Sequence, residues 1–207
     1  MRKVIASAFV SLDGVMQAPG GPEEDPAGGF RFGGWTVPYW DGDEVLGQQM
    51  GKVFSQPYDL LLGRKTYDIF AAYWPRVTDP NNPIAAQFNS VTKYVATSSQ
   101  EPLTWQNSVP LRGNVPAEIA RLKKQEGPAL LVQGSSQLLH ALFANDLLDR
   151  LTLLTFPVVL GKGKRVFDET SKPGALEVVE SIVSTNGVTI STYERAGDVK
   201  TGSFALE

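Results

Sequence analysis

Residues 59–70 read DLLLGRKTYDIF, and two structural habits meet in the middle of the stretch. Leu60, Leu61 and Leu62 form an apolar run of strand length, without the polar alternation of a strand that has one wet face. Gly63-Arg64-Lys65-Thr66 then sets two cations and a hydroxyl where a helix would begin. Helix starts carry partial positive charge and prefer acids, so cations there are mildly unfavourable. They become favourable when an anion sits on the free N–H groups of the first turn. Two readings follow: a basic βα turn, or a phosphate site.

The surrounding chain alternates in the same way. Strands are predicted at Lys3–Phe9, Asp59–Leu62, Lys93–Thr97, Ala129–Gln133 and Arg150–Pro157, and helices at Asp43–Phe54, Thr66–Tyr73, Pro116–Gln125 and Gln137–Ala144. Such alternation predicts an α/β domain with a mostly parallel sheet covered by helices on both faces. The end of the chain differs. Leu176–Val183 and Val188–Arg195 flank Asn186-Gly187, a strong hairpin signal, so the sheet is expected to finish in an antiparallel pair. No linker or repeat divides residues 1–207, which predicts one domain. The Gly/Pro-rich stretch Ala18–Gly34 reads as a long loop, and long loops in compact domains are often functional.

Composition narrows the function classes. A net charge of −3 argues against a general nucleic-acid or membrane-surface binder. No stretch approaches the roughly 18 consecutive apolar residues of a spanning helix, and the N-terminus reads as a first strand, not a signal peptide. With no cysteine, thiolate metal sites and disulfides are out, and a cytoplasmic address is expected. Leu206-Glu207 has the look of a tag remnant.

Two further segments repeat the pattern of the opening stretch. Thr97-Ser98-Ser99 places three hydroxyls at the end of a strand, where open α/β sheets bind ligands. Gln133-Gly134-Ser135-Ser136 leads from a buried strand into a helix through a glycine that lets a ligand approach the backbone. Each alone is also an ordinary βα turn, and the chain has neither Gly-x-Gly-x-x-Gly nor a Walker A sequence.

In this order, Gly63-Arg64-Lys65-Thr66-Tyr67, Thr97-Ser98-Ser99-Gln100 and Gln133-Gly134-Ser135-Ser136 resemble the dihydrofolate reductase superfamily. Ser11-Leu12-Asp13-Gly14 and Pro157-Val158-Val159-Leu160-Gly161-Lys162-Gly163 are more similar to one branch, the reductase domain of riboflavin biosynthesis (the RibD C-terminal domain) and its stand-alone relatives. The resemblance implies a three-layer dihydrofolate reductase-like fold and an NADPH-dependent reductase. The implied reaction is like reduction of 5-amino-6-(5-phosphoribosylamino)uracil. A nucleotide-binding protein of the same fold without turnover, or a folate-type reductase, is the alternative. Arg64, Lys65 and Ser98 or Ser99 would hold the adenosine 2′-phosphate. Thr66 with Gly63, and Gly134, Ser135 and Ser136 opposite, would meet the pyrophosphate, with Thr97 beside them. A homodimer is also implied. The zinc deaminase domain of the bifunctional riboflavin enzyme is not, since cysteine is absent and His140 is the sole histidine.

The substrate side is less defined. A folate reductase keeps a carboxylate on its first helix, and Asp43 or Glu44 falls in that region, although either also suits a helix start. Asp13 is either a catalytic acid or a turn residue. Trp40 and Asp41 are candidate substrate contacts, and Lys162, Lys164 and Arg165 are candidates for a substrate phosphate or for a solvated loop. Phe30, Phe32, Trp35, Tyr39 and Trp40 crowd the Gly-rich loop, fitting a lid, a dimer contact or core packing.

Overall fold

The computed structural model describes residues 1–205; Leu206-Glu207, read above as a tag remnant, lie outside them. Leu60 and Leu62 enter one apolar core and Leu61 the other, so the leucine run is a strand buried on both faces. It forms β2 (Tyr58–Gly63) of an eight-stranded sheet. The other strands are β1 (Val4–Ser11), β3 (Lys93–Ala96), β4 (Ser108–Leu111), β5 (Ala129–Val132), β6 (Arg150–Phe156), β7 (Leu176–Val183) and β8 (Thr189–Arg195). Their order is β4-β3-β2-β5-β1-β6-β8-β7. All pairings from β4 to β6 are parallel, and β6–β8 and β8–β7 are antiparallel, as expected.

Two helical layers cover the sheet. Helices α1 (Glu44–Ser55), α2 (Arg64–Tyr73) and α3 (Pro83–Ser90) pack on the core that holds Leu60, Leu62, Leu131 and Phe156. Helices α4 (Val115–Lys123) and α5 (Ser136–Ala144) pack on the opposite core, through Ile119, Leu122, Leu138, Leu139 and Leu142. Among the described residues, no helix is long and apolar enough to cross a membrane.

Two features depart from the sequence reading. Strand β4 was not expected, because Pro110 demotes the segment; it survives at the sheet edge, where a missing N–H is tolerated. Helix α3 was also missed, although Asn82-Pro83 supplies both its cap, accepting from Ala85 N at 3.0 Å, and its first residue. The Asn186-Gly187 hairpin closes through a three-residue loop, with Ser184 N donating to Val188 O at 2.8 Å and Gly187 at φ 80°.

Candidate functional site

The C-terminal ends of the parallel strands open into one cavity of about 1850 Å³. Gly63 to Thr66, Thr97 to Ser99 and Gly134 to Ser136 all line it, so the three segments singled out in the sequence share one wall. Helix capping separates this wall from the rest of the molecule. Helices α1, α3 and α4 are closed at their N-termini by the side chains of Asp43, Asn82 and Asn114. Helices α2 and α5, which start at the cavity, have no side-chain cap, and neither carries an acid in its first turn. Their first-turn N–H groups are therefore left for a partner from outside the chain.

The two uncapped turns lie against each other. Gly63 N donates to Gly134 O at 3.2 Å. A Cβ at Gly63 would stand 2.2 Å from Ser135 Oγ, and one at Gly134, whose φ is +122°, would stand 2.8 Å from Thr66 Oγ1. A side chain at either position would displace the hydroxyl opposite, and at Gly134 it would also be strained by the positive φ. Above them, Arg64 bonds Asp68 (2.8 Å) and Glu101 (3.1 Å), while its Nη1 is buried without a partner. Arg112, after β4, donates to Ser99 O at 3.2 Å and adds a cation beside the serines. It was missed because the strand that delivers it was missed. Thr97 Oγ1 accepts from Ser99 N and Ser99 Oγ from Glu101 N, which shapes the turn around Ser98.

The opposite wall is apolar. Met50 and Phe54 from α1, Phe70 from α2, Trp74 beyond it, and Ile84 and Phe88 from α3 face the cavity, with Phe9 and Trp40 beside them. A third wall is the loop before α1. Gln17 holds it closed, donating to Asp25 O and Ala27 O and accepting from Lys164 N. Asp25 is buried and pairs with Lys164 at 2.5 Å and Lys65 at 3.9 Å. Glu24 accepts from Gly20 N and Gly21 N; burial still pushes its carboxyl above the ordinary value, and the charge of Asp25 adds to the rise.

Over residues 2–190 the sequence matches the RibD C-terminal domain family. The chain belongs to that family. Two uncharacterized proteins of Bacillus subtilis (strain 168) are similar along their length. YyaP is 26% identical over 202 residues, covering 95% of this chain and 96% of that protein. YwjB is 26% identical over 178 residues, covering 86% and 89%. Among solved structures, a protein from Shewanella sp. PV-4 described as a riboflavin biosynthesis protein superposes with a TM-score of 0.67 at 21% identity, covering 93% of this chain and 98% of that one. Dihydrofolate reductase from Enterococcus faecalis, complexed with NADP(H) and RAB-propyl, gives 0.58 at 19% identity, covering 94% and 96%. A pyrimidine reductase-like protein from Corynebacterium diphtheriae gives 0.57 at 14%, covering 95% and 93%. These likenesses show the dihydrofolate reductase-like fold.

In this RibD C-terminal domain the acids considered from sequence stand outside the cavity. Asp13 accepts from Ser11 Oγ (2.6 Å), Leu160 N (3.0 Å) and Gly161 N (2.8 Å), with Arg165 alongside. Burial alone would raise its pKa, but these bonds outweigh it and bring the carboxyl down to about 2. It latches the β1 turn to the loop after β6. Asp43 caps α1 through Leu46 N and takes Asn186 N at 2.8 Å, pinning the β7–β8 turn to the helix start. Its pKa is lowered although burial opposes this, the bond from Ser184 leading the backbone contacts. Glu44 is exposed and lines no cavity. Asp41 is also exposed and offers its backbone carbonyl to Asn186.

The basic loop divides. Lys164 and Arg165 line the cavity, the first paired with Asp25, the second donating to Gly161 O and Asp13 O. Lys162 is exposed and lies off it. The aromatic loop divides too. Phe30 and Trp35 are core residues, Trp35 and Tyr39 meet Phe156 edge-on, Phe32 is half exposed, and Trp40 faces the cavity. His140 sits at the rim, bonded to Arg165 O at 3.0 Å. No group of three or more acids or histidines capable of holding a metal occurs among the described residues.

Proposed function

We propose that this chain is an NADPH-dependent reductase of a small ring substrate. The observation that carries the reading is the pair of uncapped helix starts, α2 and α5, facing one cavity across two glycines where a Cβ would press on Ser135 and Thr66. Their free N–H groups, with Thr66, Ser135 and Ser136, fit a pyrophosphate. Arg64 through its unpartnered Nη1, Lys65, Arg112 and the Ser98-Ser99 turn fit a phosphate monoester better than a ribose diol, which calls for an acid. This supports NADPH over NADH. When bound, the cofactor supplies a hydride; the chain supplies orientation and a dry chamber. That α1 turns Met50 and Phe54 to the cavity, and no carboxylate, speaks against a folate-type reductase.

The test is titration of NADPH and NADH against the parent chain, Arg64→Ala/Lys65→Ala and Arg112→Ala. Each variant is expected to weaken NADPH at least tenfold and NADH less than threefold. Unchanged NADPH affinity in both variants refutes the phosphate assignment. NADPH binding without its oxidation across pterins, ribosylaminopyrimidines and simple carbonyls would instead identify a nucleotide-binding module.

A further inference from the structure

On the floor of the apolar chamber lie two polar groups with nothing to bond. Ser7, on β1, is 4% exposed, and its Oγ has no hydrogen-bond partner. Gln133 follows β5, and its Nε2 is buried and equally unpartnered. Both residues line the cavity. The register of β1 and β5 runs Ile5↔Leu131, then Ala6↔Val132, so Ser7 and Gln133 are the next residues on the two chains, Gln133 just past the end of β5. Ile5 and Leu131 face the α1 and α3 layer, and Ala6 and Val132 face the other. Alternation therefore returns Ser7 to the α1 and α3 side, and Gln133 lines the same cavity beside it.

Unpaired buried polar groups cost stability, and an apolar pair here would avoid the cost. A ligand whose edge carries hydrogen-bond acceptors removes it as well. The surroundings limit what that ligand can be. Phe9 meets Trp40 edge-on at 5.7 Å, and Phe88 gathers Phe54, Phe70 and Trp74 within 5.6 Å. Beyond the first turn of α2, the helices of this wall present no charged side chain to the cavity. A phosphate or carboxylate here would lose its water without gaining a counter-charge. A flat neutral ring finds aromatic edges and faces.

Resting on the reductase reading above, we infer that Ser7 and Gln133 hold the edge of the substrate, a flat, uncharged ring compound with carbonyl or imine acceptors. Gln133 Nε2 donates to one acceptor and the Ser7 hydroxyl to its neighbour. Because Gly134 opens the glycine turn one residue later, the pair stands where the cofactor cradle meets the apolar chamber. The phosphoribosyl substrate implied by the resemblance has no unpaired cation on this wall to meet it.

Isatin, a flat neutral dicarbonyl, and isatin-5-sulfonate, the same ring with a fixed negative charge, provide the test. Each is titrated by calorimetry against the full chain, with and without NADPH. Isatin is expected to bind at least tenfold more tightly than the sulfonate. Ser7→Ala and Gln133→Leu are each expected to weaken isatin about fivefold, leaving NADPH affinity within twofold. Gln133→Glu, which exchanges a donor for an acceptor, is expected to weaken isatin at least as much, and melting curves identify any variant that fails to fold. Equal affinity for the two probes, no isatin binding, or isatin binding untouched by all three substitutions overturns the inference. Loss of NADPH affinity with isatin unchanged gives the pair to the cofactor and overturns it too. Isatin binding that depends on Ser7 and Gln133 in a chain unable to bind NADPH removes the reductase reading alone.

Discussion

Asp13→Asn distinguishes a catalytic acid from a latch, and its size can be worked out. The Asp13 carboxylate takes two backbone N–H groups and one hydroxyl, beside the Arg165 guanidinium. Asparagine keeps one acceptor and turns an NH2 toward Gly161 N and Arg165, so a bond is lost and donors are set against each other. The fall in pKa from 3.8 to about 2 corresponds to about 2.4 kcal/mol in favour of the charged form. With 21% of the side chain open to water, screening reduces the expected contribution to about 1–1.5 kcal/mol. For a chain of this length that is a fall of about 2–6 °C in melting temperature at pH 7. The sign with pH follows from a depressed carboxyl: the stabilisation is complete above pH 3.8 and is lost as pH falls toward 2. The gap between parent and variant, read by chemical denaturation across this range, should therefore narrow below pH 3.8 and nearly close at pH 2. NADPH affinity should be unchanged. A variant as stable as the parent at pH 7 that loses turnover would refute the latch and restore Asp13 as a catalytic group.

Gly63→Ala drives a Cβ to 2.2 Å from Ser135 Oγ; it should destabilise the chain by about 1–3 kcal/mol and weaken NADPH at least tenfold, by melting curve and titration. Asp43→Ala removes the α1 cap and the tie to Asn186, so it should lower the melting temperature while leaving NADPH affinity within twofold. Strand β7 forms the sheet edge and exposes Val178, Val179 and Val183. If the homodimer implied by the resemblance forms there, light scattering will give twice the chain mass for the parent and a monomer for Val178→Lys; a parent that is monomeric sinks the idea.

Local pattern carried most of the fold and the three turns proposed to meet a phosphate. The leucine run of β2 needed burial on both faces, the Asn186-Gly187 dipeptide needed a turn, and cations at the start of α2 suited a phosphate site as well as a basic turn. These are short-range constraints, legible wherever one residue type contradicts its local element. Strand β4 escaped because Pro110 is tolerable only at an edge, and which strand lies at the edge is a property of the whole sheet.

The same limit applied to the acids. Asp13, Asp43 and Glu44 are chemically able to donate a proton, and nothing within a few residues of them decides between that and a turn or a helix start. Contacts from residues over a hundred positions away, Leu160 and Asn186, turn Asp13 and Asp43 into latches. Ser7 and Gln133 are the converse. In sequence Ser7 is one polar residue within a strand, and Gln133 only the residue that leads into a glycine turn. Parallel pairing of β1 with β5 brings them to the same end of the two strands, and the fold gives neither group a partner. Sequence alone determined the strand–turn–helix units and the residues that could meet a phosphate. Only the tertiary structure decided which polar groups were left unpaired, because hydrogen-bond satisfaction depends on what the fold brings within three ångströms or so.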